Sequence, residues 1–388
     1  MIKNNDEISP YQIAALIIMT VVGVGIFSMP ANIAKTADQD AWVMIMLGGI
    51  INLPFALIMV KLSTKYPGKT FIEYTQIILG KVPGKILGIL FVSIYVVIVA
   101  FVLRTFTEVI RMFMLFRTPT EIIILTLLIT CAYLIRGGIE CIARIMEVAL
   151  PLLFIPFFLI FLPGLEGVDI TNLRPVLYHF PGKILKSLTP MLLSFGGYEC
   201  ILYYIGFMKD PKKAYKPVIY SIAFITFLYA FITAVCIANF GSKFLSQILW
   251  PVLIYVKGVD LPGLFLERLD GIMLGLWVLT IFTTVVSIFF ICTYTISKVI
   301  GTKEQKQYVL PFSIIIYYIS LQPQDIAQLF KWSDFVLKYG GSIFMYIIPL
   351  ILLIISSIKG RGSRPQLPAK DSKGGAQKCE DQSNSQKS

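Results

Sequence analysis

Glu199 follows a pair of glycines in the stretch "LSFGGYECI", residues 193–201, within an otherwise largely apolar run. A carboxylate at that place in a membrane helix has two chemical uses: it can hold an ammonium group or relay a proton. An ionisable residue inside lipid is by default a functional candidate. The bland alternative is a protonated Glu199 hydrogen-bonded to a neighbouring helix. A second stretch, "VVGVGIFSMPA" at residues 21–31, carries no charge but places Gly23 and Gly25 two apart and Pro30 just beyond. Glycine permits backbone conformations closed to other residues. If the helix unwinds there, the peptide groups of Gly23, Val24 and Gly25 become donors and acceptors, with Thr20 one turn below. The alternative use of such small residues is close packing between helices. An amino-acid ligand needs donors for its carboxylate and acceptors for its ammonium. Half-helix N-termini supply the first and freed carbonyls the second. Ser194, Gly196, Gly197 and Glu199 would complete such a site from the later stretch.

Further residues are candidates by spacing. Tyr95 and Val99 are four apart, hence on one helical face, and would wall a pocket or simply pack. Arg104, Glu108 and Arg111 form a ladder of opposite charges on the same helix, suited to a structural ion-pair cluster or a gate. In "LTIFTTVVS", Thr280, Thr284 and Ser287 lie near one side, with Thr283 adjacent to Ser287. Hydroxyls at Thr283 and Ser287, joined by carbonyls of a broken first helix, would make an oxygen cage for Na⁺. Ser and Thr also serve as ordinary glue between membrane helices. Glu140, Arg144 and Glu147 in "IECIARIME" have the spacing of a local salt-bridged helix cap.

The elements that must position these residues are membrane helices. Of 388 residues, 56% are hydrophobic and 14% charged, with a mean hydropathy of +0.78. Soluble domains carry about 25% charged residues. Apolar runs delimited by charged or turn-rich breaks predict ten spans, at 11–34, 41–62, 86–114, 121–136, 143–162, 184–207, 216–240, 271–297, 308–321 and 335–358. The first run is too long for the apolar core of a signal peptide and is expected to be the first span. Lys61, Lys65, Lys69, Lys81 and Lys85 crowd one connection, and Lys209, Lys212, Lys213 and Lys216 crowd another on the same side. This bias predicts both termini in the cytoplasm. A membrane domain is therefore expected over 1–358, with repeats at about 11–162 and 184–358. The polar tail, 359–388, is too poor in apolar residues to bury a core and is expected to be disordered.

Some chemistries are excluded. One histidine, His179, cannot build a catalytic triad or a His-based metal centre, and the six cysteines contain no C-x-x-C pair. No enzyme activity, cofactor or nucleic-acid partner is expected. The stretch 244–270, with Trp250, Pro251 and Pro262, suits an interfacial or re-entrant segment over the outer face.

The interrupted spans are the first and the sixth of ten, the correspondence expected of a five-plus-five inverted repeat with helices 1 and 6 broken. At this point the chain resembles a known family. "GVGIFSMPA" is similar to the first-helix signature of the amino acid–polyamine–organocation transporter superfamily. "ISPYQIAALIIMTVVGVGIFSMP", "RGGIECIARIMEVALP", "SFGGYE" and "WPVLIYVKGVDLPGLFLERLD" resemble the B subunits of bacterial spore germinant receptors. The resemblance runs over residues 8–358. It implies the all-α ten-helix inverted-repeat fold, in the inner membrane of a dormant spore. It implies an A subunit and a lipoprotein C subunit as partners, and a small nutrient, commonly an amino acid, as the ligand, with ions or water passing. It also gives Glu140, Arg144 and Glu147 a use at an inner gate or a partner contact. The competing reading is a Na⁺- or H⁺-coupled amino-acid transporter. The fifth span, "VALPLLFIPFFLIFL", has no lysine to stand in for a coupling cation, which disfavours proton coupling of that kind.

Overall fold

The computed structural model describes residues 7–23, 25–177, 180–258, 269–302 and 304–359. Val24, His179 and the tail beyond Lys359 lie outside the described residues.

All ten expected spans are helical. The first is split into α1 (Pro10–Val21) and α2 (Gly25–Ala37). Then follow α3 (Ala41–Thr64), a short α4 (Phe71–Leu79), α5 (Lys81–Phe113), α6 (Thr120–Ile135) and α7 (Ile139–Phe161). The sixth span is α8 (Phe180–Leu193) and, after a break, a 3-10 turn at Tyr198–Cys200 leading into α9 (Ile201–Tyr204). The remainder is α10 (Tyr215–Phe240), the short α11 (Ser242–Leu245) and α12 (Pro251–Lys257), α13 (Leu269–Ile300), α14 (Lys306–Ser320), α15 (Ile326–Phe335) and α16 (Ile348–Ile358). Among the described residues, six helical stretches are long and apolar enough to cross a bilayer by themselves. The chain is an integral membrane protein.

Local chemistry explains several boundaries. Ser9 and Gln12 form a reciprocal capping box that starts α1, with Pro10 in its first turn. Thr70 and Glu73 do the same for α4. Gly80, at φ 104°, turns α4 directly into α5. Gly84 then lets the two helices meet: a Cβ there would lie 2.7 Å from the Cα of Gln76. The third span therefore begins at Lys81 rather than at residue 86, and α4 is an element that apolar length alone does not reveal.

Two poles are defined by cross-links. At the pole of the N-terminus, Ile8 pairs with Met208, Gln12 donates to Glu147, Lys65 to Ser357, and Lys359 to the carbonyl of Ile78. At the opposite pole, the amide of Leu177 donates to Asp40, and Thr36 meets Ser187. At the core, α1 packs against α7, α10 and α13, while α2 packs against α8, α3 and α12. In the stretch after residue 244 the helices are short: α12 packs on α2 and α13, and the Trp250 ring lies tilted 5.8 Å from Phe330. Residues 259–268 of that stretch lie outside the described residues.

The tenth span departs from a simple helix. Helix α15 starts at Ile326, earlier than the expected 335, and runs into two wide π-helical turns, Val336–Gly341 and Ile343–Ile347, before α16.

Candidate functional site

Both expected breaks are present, and they meet. In the first span the amide of Val22 still donates to Ile18, but Gly23 turns its amide to the carbonyl of Val21. The carbonyls left over are not free. Met19 accepts hydroxyls from Thr283 and Thr284 at 3.2 Å, and Thr284 also lies 3.2 Å from the carbonyl of Thr20. Tyr229 of α10 donates to the carbonyl of Val21 at 3.0 Å. Backbone groups inside a membrane must find partners within the protein, and here side-chain hydroxyls supply them. The carbonyls of Met19, Thr20 and Val21 are thus occupied, while Gly23 and Gly25, whose peptide groups are the expected donors and acceptors, line the cavity described below. Gly23 is required at this contact, because a Cβ would fall 2.7 Å from the Thr284 hydroxyl.

The sixth span unwinds after Leu193. Gly197 sits at φ 110°, a left-handed conformation that glycine adopts without penalty. A Cβ there would be 3.2 Å from the carbonyl of Thr20, so the two breaks touch through Gly197. The Gly197 amide donates to Glu199 Oε2 at 2.8 Å, and the Tyr95 hydroxyl donates to Glu199 Oε1 at 2.7 Å. Glu199 is 5% exposed. Among the described residues no lysine or arginine pairs with it. A buried carboxylate carrying two donors and no cation is an incomplete arrangement, since burying a charge is costly unless it is compensated.

A cavity of about 640 Å³ opens beside this junction. Its floor holds Thr20, Gly23, Gly25, Gly197, Glu199 and Thr284; Ser194 and Gly196 also line it. A Cβ on Gly25 would meet nothing within 4 Å, so that residue faces open space. Tyr95, Ile98 and Val102 of α5 form one wall. Toward the pole opposite the N-terminus the lining becomes polar, with Asn32, Lys35, Thr36, Ser333, Asp334 and Lys338.

Toward the N-terminal pole the cavity is shut. Phe91 stacks on Tyr95 at 4.1 Å and meets Phe344 at 5.1 Å and Tyr203 at 5.2 Å. Below them Glu73 of α4 pairs with Lys298 of α13 at 3.0 Å. Burial alone would raise the Glu73 carboxyl, but the amide and hydroxyl of Thr70 and the Lys298 ammonium together hold it below the usual carboxylate range.

Other candidates fall elsewhere. Val99 is fully buried and does not line the cavity; Ile98 does. Ser287 is committed to Thr20, 2.5 Å away, and to Tyr204, and so is not paired with Thr283 in one cage. The oxygens that do converge are those of Met19, Thr20, Thr283 and Thr284. Arg104 pairs with Glu108 at 3.0 Å, whereas Arg111 turns to the Thr120 hydroxyl at 2.7 Å, so the expected ladder has one rung. None of the three lines the cavity. Glu140 pairs with Arg144, while Glu147 reaches across to Gln12 and ties α7 to α1. Sequence spacing did not indicate Tyr229, Asn52 or Tyr346, which serve the breaks from distant helices.

Comparison with known proteins agrees with this geometry. The spore germination protein family matches over residues 7–329. The chain belongs to that family. Among its relatives is spore germination protein YndE of Bacillus subtilis (strain 168), 30% identical over 94% of this chain and 100% of YndE. Spore germination protein A2 of the same organism is 28% identical over 92% of this chain and 97% of A2. Among solved structures, MhsT in complex with L-phenylalanine superposes with a TM-score of 0.63 at 14% identity, covering 89% of this chain and 88% of MhsT. A Na⁺-coupled sialic acid symporter in a substrate-bound outward-open state gives a TM-score of 0.61 at 13% identity, covering 90% and 78%. At such identities the likeness speaks for the fold alone. This spore germination protein thus has the ten-helix, five-plus-five inverted-repeat fold with its first and sixth helices broken.

Proposed function

We propose that this spore germination protein is the B subunit of a spore germinant receptor, and that it binds a small amino-acid nutrient in the cavity between its two broken helices. The observation that carries this reading is Glu199: a buried carboxylate, held by Tyr95 and the Gly197 amide, with no cation paired to it among the described residues. A ligand ammonium completes it. The ligand carboxylate then faces the N-terminal end of α2, where Gly25 leaves room and the helix dipole favours negative charge. Binding biases an equilibrium between conformations to the extent that affinity differs between them. An A subunit and a lipoprotein C subunit read that change, and germination follows. In this reading the protein lies in the inner membrane of the spore with both termini in the cytoplasm, so the cavity opens outward. The membrane domain spans residues 1–358, with repeats at about 11–162 and 184–358 and a cytoplasmic tail beyond.

One observation favours a second reading, a Na⁺-coupled amino-acid transporter. Two carbonyls and two hydroxyls converge near Met19 and Thr284 within 3.2 Å, which a small cation could bridge. Reconstituted protein separates the two. Saturable binding of a labelled amino acid without accumulation supports the receptor, and accumulation that requires a Na⁺ gradient supports the transporter. Absence of binding by every amino acid tested would remove both.

A further inference from the structure

The tenth span touches every part of the site. Its residues Asp334 and Lys338 line the mouth, Leu337, Gly341 and Met345 line the cavity, and Phe344 belongs to the aromatic floor. The stretch that joins these parts is not α-helical but makes two wide turns, Val336–Gly341 and Ile343–Ile347. A π-turn stores one residue more than an α-turn, and such turns recur at functional sites. This one is braced by a polar network behind the sixth-span break. The hydroxyl of Tyr346 lies 2.8 Å from Asn52 Oδ1 and 3.1 Å from the carbonyl of Leu192, and Asn52 also donates to Gly48 at 2.8 Å. Asn52 is fully buried, and Leu192 lies just before the unwound segment.

We propose that this span is a register switch, and that Tyr346 is the positioning residue that holds it in the open-mouth register. If one wide turn tightens to α-helix while α16 stays in place, the stored residue is released. Helix α15 then moves about 1.5 Å along its axis and rotates by roughly 100°. Each mouth position passes to the next residue in the chain. Phe335 takes the place of Asp334, and Tyr339 takes the place of Lys338. Both aromatics now lie on the outside of the bundle, 63% and 55% exposed, and they pack on one another at 5.0 Å. Brought inward as a pair, they add two aromatic rings to the mouth, while Asp334 and Lys338 pass to the lining positions of Ser333 and Leu337. The same motion draws Tyr346 away from the Leu192 carbonyl, so the mouth and the sixth-span break change together. The switch does not depend on which ligand fills the cavity.

The test uses the full-length protein in lipid nanodiscs, where both poles are accessible. Val102→Cys supplies a reporter on the cavity wall, and the protein without this substitution supplies the blank. The probe is a permanently charged methanethiosulfonate reagent, and the readout is its rate of reaction. Tyr346→Phe keeps the ring but loses the hydroxyl, and should slow labelling by up to about fivefold, since one net hydrogen bond shifts the ratio of the two registers by that factor. Asn52→Ala removes the other partner and serves in its place if the first variant does not reach the membrane. Adding Phe335→Ala, a change at an exposed position, should restore the original rate. Unchanged labelling in the hydroxyl-deleted protein overturns the proposal, as does slow labelling that persists without the Phe335 ring. Loss of packing alone would not be rescued by removing Phe335.

Discussion

Glu199→Gln is the sharpest probe of the binding reading, because the structure indicates why the variant should fold. Glu199 accepts at both oxygens, from the Gly197 amide at 2.8 Å and from Tyr95 at 2.7 Å. A glutamine can keep its oxygen toward the amide, which has no alternative role. Its NH₂ then faces Tyr95, whose hydroxyl can rotate to accept. The local network survives and only the charge is lost. A hydrogen bond to a charged group contributes about 1.5–3 kcal/mol, and truncating one partner of a buried charge pair costs about 2–5 kcal/mol. An intermediate loss of roughly 3 kcal/mol corresponds to a rise of about 150-fold in the nutrient concentration for half-maximal response. The assay is germination of spores carrying the variant, followed by the fall in optical density across a nutrient titration, with membrane abundance checked by immunoblot. A half-maximal concentration within threefold of the parent, at equal abundance, would refute the role given to this carboxylate.

Gly25→Leu should abolish the nutrient response while leaving the protein in the membrane, because the new side chain enters open cavity rather than packed core; a normal titration curve would count against the pocket. Gly197→Ala forces a side chain into a left-handed conformation against the Thr20 carbonyl, and should destabilise the protein by about 1–3 kcal/mol, read as a lower melting temperature in detergent. Thr284→Val leaves the Met19 and Thr20 carbonyls short of a donor, and should speed hydrogen exchange around the first-span break. The Glu73 carboxyl is depressed in the folded state, so its contribution is present above the ordinary carboxylate range and is lost as pH falls through its lowered value. Thermal melts should therefore lose stability on acidification below about pH 4, and Glu73→Gln should flatten that part of the profile.

The ten spans and both breaks were legible because lipid imposes simple demands on sequence. An apolar run of sufficient length spans, and glycines in that run mark the places where backbone leaves the helix. Glu199 was legible for the same reason, since a carboxylate has few innocent uses there. The partners of the broken backbone were not. Thr283 and Thr284 are separated from Met19 by more than two hundred residues, and Tyr229 and Asn52 carry no local pattern that distinguishes them from packing residues. Helix α4 escaped because it is short, though its Thr70-x-x-Glu73 start is a readable capping signal. Charge spacing misled at Arg111 and Glu147. In both cases a residue on another helix, Thr120 or Gln12, offered a partner that the i, i+4 rule does not consider.

The distribution of polar groups around the two breaks bears on what they can do. At the first break, hydroxyls from α10 and α13 lie against the carbonyls of Met19, Thr20 and Val21, and removing a donor exposes a buried acceptor. The sixth break is held differently, by one buried carboxyl that accepts twice, and by a glycine in a left-handed conformation whose Cβ would lie 3.2 Å from the Thr20 carbonyl. A ligand that competed for the first set would have to replace neutral hydrogen bonds one for one, with little net gain. A cationic group at Glu199 would displace neither of its two hydrogen bonds and would pair with a carboxyl already taken out of water. The larger change in free energy on binding therefore belongs to the sixth span. That is also the span whose Leu192 carbonyl is tied to Tyr346 and the wide turns of the tenth. In the proposed reading, energy released at Glu199 enters the structure next to the wide turns of the tenth span, and the first break is the surface against which that span moves.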